Sequence, residues 1–176
     1  MNAKMTRLDV DITIASGASL RGETLSQVDL SEVDLTDVDL RGCDLRYAVL
    51  KNAVLTGANL EGANLGGADL SGANLESSNL NKVDLRWSIL RNVKAENANF
   101  TNVGLLESDL TGSDFSNVNF SKADIRRCVI KNTNLRGSIF FKANLAMSDM
   151  SGSYIDENAL TEANTYGTLI PRVRHF

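Results

Sequence analysis

The sequence predicts a solenoid, a single chain wound in regular turns around one apolar core. Three observations carry this. Every fifth residue from Leu20 to Leu160 is Leu, Ile, Met or Phe, with Ala95 the one exception in 29 positions. Two residues earlier the side chain is small (Ala, Val, Ser, Thr or Cys) in 27 of the 29, failing only at Glu23 and Asn158. The residue between them is Asp or Asn in 18 of the 29. A period of five fits neither a strand, whose side chains repeat every second residue, nor an α-helix at 3.6. It requires a chain that turns regularly and sends one large and one small apolar side chain inward per turn. The small residue lets neighbouring backbones approach. The other three positions face water, and Asp and Asn suit turns because their side chains bond nearby backbone groups.

The clearest copies are Ala58-Asn59-Leu60-Glu61-Gly62, Ala63-Asn64-Leu65-Gly66-Gly67 and Ala68-Asp69-Leu70-Ser71-Gly72. They resemble the pentapeptide-repeat family, with its A(D/N)LXX motif, over residues 18–162 without an insertion. The resemblance implies an all-β fold, a right-handed quadrilateral β-helix with four pentapeptides per coil. About seven coils at the ~4.8 Å strand spacing make a rod roughly 35 Å long. A coil of 20 residues places Phe100, Phe120 and Phe140 in one internal ladder. Ala95 leaves a gap in the column of Leu75 and Phe115, and Phe115 is expected to lean into it.

The ends need caps, because open coil edges pair with other chains. Residues 1–17 read as an N-terminal cap, with the alternating Leu8, Val10, Ile12 and Ile14 predicting a strand that keeps Asp9 and Asp11 outward. Residues 163–176 read as a C-terminal cap and tail, with Tyr166, Leu169 and Ile170 folding over the last coil and residues 172–176 frayed. The gyrase-protecting members of the family end instead in a helix and hydrophobic tail that make a dimer, and no such helix is legible here.

Composition excludes most chemistry. One histidine and two cysteines are too few for a structural zinc site. Cys43 and Cys128 both occupy the small inward position, about four coils apart, roughly 20 Å and beyond disulfide reach. The only histidine, His175, lies in the tail, far from a nucleophile to activate. The Asp and Ser residues belong to the repeat, and the glycines at five-residue spacing read as turns and not as a phosphate loop. The chain is expected to be no enzyme and to need no cofactor. Without an apolar run of membrane-spanning length or a secretory signal, it reads as cytoplasmic with reduced thiols.

Function on such a rod must lie in outward side chains, where departures from the bland repeat are informative. One departure recurs every 40 residues, or two coils. Arg46, Tyr47, Val49 and Lys51 return as Arg86, Trp87, Ile89 and Arg91, and again as Arg126, Arg127, Val129 and Lys131. Arg, Tyr and Trp are enriched at interface hot spots. The stripe is expected to bind a protein partner with an acidic surface. Growth of the array by 40-residue duplication would produce the same recurrence, and Val or Ile there also favours β-structure. Direct nucleic-acid binding is disfavoured by a net charge of −4. The alternative function is DNA mimicry that protects a type II topoisomerase (gyrase), as in the quinolone-resistance members. Mimicry needs a continuous acidic surface. Charge here runs −5 over residues 1–45, +3 over 46–145 and −2 over 146–176. A monomer or weak homodimer is expected.

Overall fold

A computed structural model describes residues 4–171. The backbone pairs in parallel with itself at a spacing of 20 residues, from Lys4–Thr24 to Asp149–Leu169. Each bridging residue is the Asp or Asn position of a pentapeptide. Four pentapeptides therefore close one coil, and the rod is a four-sided β-helix.

The corner is a tight turn. The N–H of the small residue bonds back to the carbonyl of the preceding large one, as Ala48 does to Leu45 at 3.1 Å. The second turn residue has φ between +53° and +73° at every fifth position from Gln27 through Met147. A positive φ confined to that position defines a type II turn, which favours Gly or Asn there. The Asp or Asn before the turn steadies it: Asp69 Oδ1 accepts the N–H of Ser71 at 3.0 Å and Asn99 Oδ1 that of Thr101 at 3.1 Å. This is the expected side-chain-to-backbone role of these residues.

The large residues fill a continuous core, fully buried from Leu20 to Met150. Phe100, Phe120 and Phe140 form the expected ladder, with ring centroids 5.3 Å and 5.2 Å apart. Phe115 sits above Ala95 in its column and packs edge-on against Phe100 at 5.4 Å and 89°. The small position has a second role beyond allowing close approach. Where it carries a hydroxyl from Ser108 onward, that group enters the turn of the coil below, whereas Ser78 and Ser88 donate to the carbonyl of their own turn. Ser113 Oγ accepts the Val93 N–H at 2.9 Å and donates to the Leu90 carbonyl at 2.6 Å. Cys43 and Cys128 donate in the same way to Leu20 and Leu105. Both thiols are free and buried. Burial pushes the Cys43 thiol up to about 11 and the Cys128 thiol up to about 12. Among the described residues no buried side-chain N or O lacks a partner.

The N-terminal cap is a helix, not the strand expected from residues 8–14. Helix α1 runs Arg7–Ala15. Thr6 caps it, and a reciprocal bond from the Thr6 N–H to Asp9 completes a capping box. Val10 and Ile14, one turn apart, face the core, while Leu8 and Ile12 face out. Two interleaved i,i+4 pairs produce the same alternation as a strand, which is why periodicity misread it. Among the described residues ahead of α1, Lys4 and Met5 pair with the first coil as strand, through Thr24. Arg7 ties α1 down by bonding Asp11 and the Ser31 carbonyl.

The C-terminal expectation also needs correction. The turns become irregular over residues 155–163, but register returns at Asn164 on Asn144 and Leu169 on Asp149. The β-helix thus runs on beyond residue 162. Tyr166 and Leu169, 78% and 59% exposed, do not fold over the last coil, and Ile170 is exposed as well. The five-residue phase explains this: Tyr166 falls on the first turn position and Leu169 on the outward one. The expectation of a frayed segment at 172–176 lies outside the described residues.

Candidate partner-binding face

The 40-residue pattern occupies one corner and both faces that meet there. Four columns run along the rod, each advancing one coil per 20 residues. The corner column holds Tyr47, Gly67, Trp87, Glu107, Arg127 and Met147. The face after it holds Val49, Asp69, Ile89, Asp109, Val129, Asp149 and Leu169, each bridged to the next. The face before it holds Asp44, Asn64, Asp84, Gly104 and Asp124. Lys51, Arg91 and Lys131 line the far corner, alternating with Ser71 and Thr111.

Stacked coils leave a turn side chain little room, and at several places a large residue lies over a Gly one coil on. The Tyr47 ring lies across Gly67, where a β-carbon would come within 2.5 Å of it. On the far corner Asn52 and Asn92 cover Gly72 and Gly112 in the same way. Trp87 shares Glu107 with Arg127: its indole N–H donates at 3.3 Å and the guanidinium at 3.2 Å. The Arg86 guanidinium stacks over the Trp87 ring, 5.2 Å from its centroid. Tyr47 and Trp87 remain 61% and 53% exposed. Both hold left-handed φ, 57° and 61°.

Every basic group of the pattern lies against a carboxylate. Arg46, Arg86 and Arg126 turn back over the preceding face and clamp Asp44, Asp84 and Asp124 two-pronged, with Nε and Nη2 at 2.6–2.9 Å. Lys51, Arg91 and Lys131 reach one coil onward, to Asp69 at 3.2 Å, Asp109 at 2.6 Å and Asp149 at 2.9 Å. The stripe is therefore not a bare basic surface. The cation is nonetheless the outer member of each pair, as with Arg91 at 59% exposed over Asp109 at 20%. The carboxylates stay ionised. The Arg46, Arg86 and Arg126 hydrogen bonds hold Asp44, Asp84 and Asp124 below the usual range. The Ser151 and Lys131 hydrogen bonds bring Asp149 down to about 2.

The sequence-predicted residues thus divide between two faces. Arg46, Arg86 and Arg126 belong to one. Val49, Lys51, Ile89, Arg91, Val129 and Lys131 belong to the other, and Tyr47, Trp87 and Arg127 form the ridge between. The carboxylates that hold these cations were not assigned from sequence. The signal was present in Asp44-Leu45-Arg46, Asp84-Leu85-Arg86 and Asp124-Ile125-Arg126, which share the 40-residue spacing. Ile89 and Val129 are exposed, and Leu169 continues their row beyond the three sequence copies.

A four-sided coil whose turns are for the most part steadied by a preceding Asp or Asn defines the class of repeat solenoids whose surface is a set of stacked ladders. The model of pentapeptide repeats matches in 8 copies across residues 15–154, and the chain belongs to the pentapeptide-repeat family. The β-helix is accordingly right-handed and quadrilateral. Among solved structures it is similar to HetL, a pentapeptide repeat protein involved in heterocyst differentiation regulation in the cyanobacterium Nostoc sp. strain PCC 7120. That match has 21% identity and a TM-score of 0.65, covering 93% of this chain and 79% of that one. QnrB1, a plasmid-mediated fluoroquinolone resistance protein, matches at 18% identity and a TM-score of 0.62, over 98% of this chain and 81% of that one. A pentapeptide repeat protein of the Arabidopsis thaliana thylakoid lumen is 35% identical over 57% of this chain and 70% of its own, with a TM-score of 0.56. Among curated proteins, no sequence matches. Among the described residues no helix is long and apolar enough to cross a membrane.

Proposed function

We propose that this repeat scaffold is a non-enzymatic, cytoplasmic regulatory module that binds a protein partner through the Tyr47–Trp87 ridge and the Val49 face. One observation carries the reading. Two large aromatic side chains, Tyr47 and Trp87, are held outward and more than half exposed on one corner column, in the positive-φ position that every fifth residue from Gln27 to Met147 occupies. Packing of stacked coils accounts for Gly67 beneath Tyr47. It does not account for Trp87 standing over half-exposed Glu107. The ion pairs alter the partner chemistry expected from sequence, since a partner meets neutralised pairs and not a row of free cations. They also weigh against DNA mimicry, because carboxylates under outward cations do not imitate a phosphate strip.

The test is affinity capture from a lysate of the source organism, with a folded Tyr47→Ala/Trp87→Ala double variant as control. A protein retained by the wild type and lost by the variant is expected. Equal retention by both would remove the ridge from the function.

A further inference from the structure

One face of the rod is bounded by charges of opposite sign. Its column runs Asn59, Asn79, Asn99, Asn119 and Ile139, and it lies opposite the Val49 face. The column carries no charge, and its amides are engaged along it. Asn79 Nδ2 donates to Asn59 at 3.2 Å and Asn99 Nδ2 to Asn79 at 3.0 Å. Lys82, Lys122 and Lys142 line the corner after this face, all exposed. Asp37, Glu76 and Glu96 line the corner before it. Among the described residues none of these six is in an ion pair, unlike the cations around the ridge. Lys94 lies beyond the carboxylate rim, on the adjoining face.

Rims of opposite sign restrict what can cover the strip between them. A polyanion meets the carboxylates, a basic partner meets the lysines, and like charges set face to face are costly. A second copy, turned by a twofold axis normal to the face, lays each lysine rim on the other copy's carboxylate rim. Its coils also have the same spacing, so the rungs of the two rods stay in step. The two departures from the rims obey the same operation. Glu61 stands in the lysine rim and Arg136 in the carboxylate rim, two coils to either side of Asn99. Arg136 stacks over Tyr154 and holds no carboxylate among the described residues. A twofold through Asn99 sets Glu61 of one copy against Arg136 of the other, and Lys122 against Glu76, each contact made twice. Between the rims Asn79 then meets Asn119 and Asn59 meets Ile139, so no charge is buried in the centre.

We infer that this chain forms an isologous homodimer through its asparagine face, with the rods antiparallel and the twofold axis at Asn99. The contact leaves the Tyr47–Trp87 ridge uncovered on both copies and does not depend on what that ridge binds. A strip five coils long and one face wide is small for an obligate dimer, and its ion pairs form near water. The association is therefore weak and sensitive to salt.

Sedimentation equilibrium of the full chain at low salt, carried to about millimolar concentration, reads the oligomeric state. The wild type is expected to dimerise, and to lose at least about fivefold in affinity when salt is raised to about 0.5 M. Lys122→Glu and Glu76→Lys, each with an unchanged circular dichroism spectrum, are each expected to weaken the dimer at least about tenfold, since each sets like charges together at both symmetry-related contacts. An equal mixture of the two variants is expected to recover the wild-type affinity, because every contact again joins a carboxylate to an ammonium. A wild type that stays monomeric throughout would overturn the inference. Variants that dimerise as the wild type does would place the contact elsewhere on the rod and overturn it too. So would a mixture that associates no better than its components.

Discussion

A hydroxyl at the small inward position stands between a turn's own donor and acceptor. Ser113 Oγ separates the Val93 N–H from the Leu90 carbonyl. An orphaned buried pair would cost about 1–3 kcal/mol. The turn can close directly, however, as Ala48 N–H does on Leu45 beneath Ala68. Ser113→Ala is therefore expected to cost no more than about 1 kcal/mol in chemical denaturation, the net value of an ordinary hydrogen bond. A loss of several times that would show that Val93 and Leu90 cannot meet. The cysteines give a sharper expectation. With the thiols pushed up to about 11 and about 12, almost no thiolate exists near pH 8. Iodoacetamide should leave Cys43 and Cys128 unmodified in the folded protein and label both in denaturant, as intact mass would show. Rapid native labelling of either would mean that the coils open locally. The sequence made the inward place of both cysteines legible, because phase alone decides it. The bond each thiol makes was not legible, because it depends on a carbonyl 23 residues earlier.

At the scale of elements, what could be read depended on whether one period had one meaning. From Leu20 to Met150 it had, since a five-residue phase admits one backbone. At residues 8–14 it had not, because apolar residues at every second position satisfy a strand face or two i,i+4 helix pairs equally. The deciding information was local: Thr6 and Asp9 have the spacing of a capping box, which only a helix N-terminus uses. Thr6→Ala should destabilise the protein by about 1 kcal/mol, as N-cap losses typically do. Because α1 covers the first coil, its loosening should appear as faster amide exchange in residues 20–45 while the central coils stay protected. Uniform exchange across the rod would mean that the cap is not a separate unit of stability. At the other end, carrying the same phase past residue 162 was enough to place Leu169 outward. Tyr, Leu and Ile together suggest a lid only when register is ignored.

For the whole rod, charge was legible as totals but not as pairs. A net −5 at one end and +3 in the middle describe the sequence, yet each cation of the surface pattern is held by a carboxylate. Three of the seven pairs join residues two apart, and four join residues 18 or 20 apart, which only the 20-residue coil brings together. Their consequence is pH dependence. Hydrogen bonds from Arg41 to Asp39, and from Ser151 and Lys131 to Asp149, bring both carboxyls down to about 2. Asp29, Asp34, Asp44, Asp84 and Asp124 are lowered as well, chiefly by the side-chain bond from the residue two positions on. An unfolded Asp titrates near 3.9, so between about 4 and about 2 the unfolded chain binds protons that the folded one does not. The stabilisation is complete above the unfolded value and is lost as pH falls through that window. Denaturation midpoints should therefore hold level from pH 7 to about 5 and drop steeply from about 4 towards 2. Because ladders of such Asp residues run along the faces, the fall should be a single cooperative transition by far-UV circular dichroism. A midpoint that stayed level down to pH 2 would mean that these bonds form equally well with protonated side chains, and that the ladders are held by coil geometry alone.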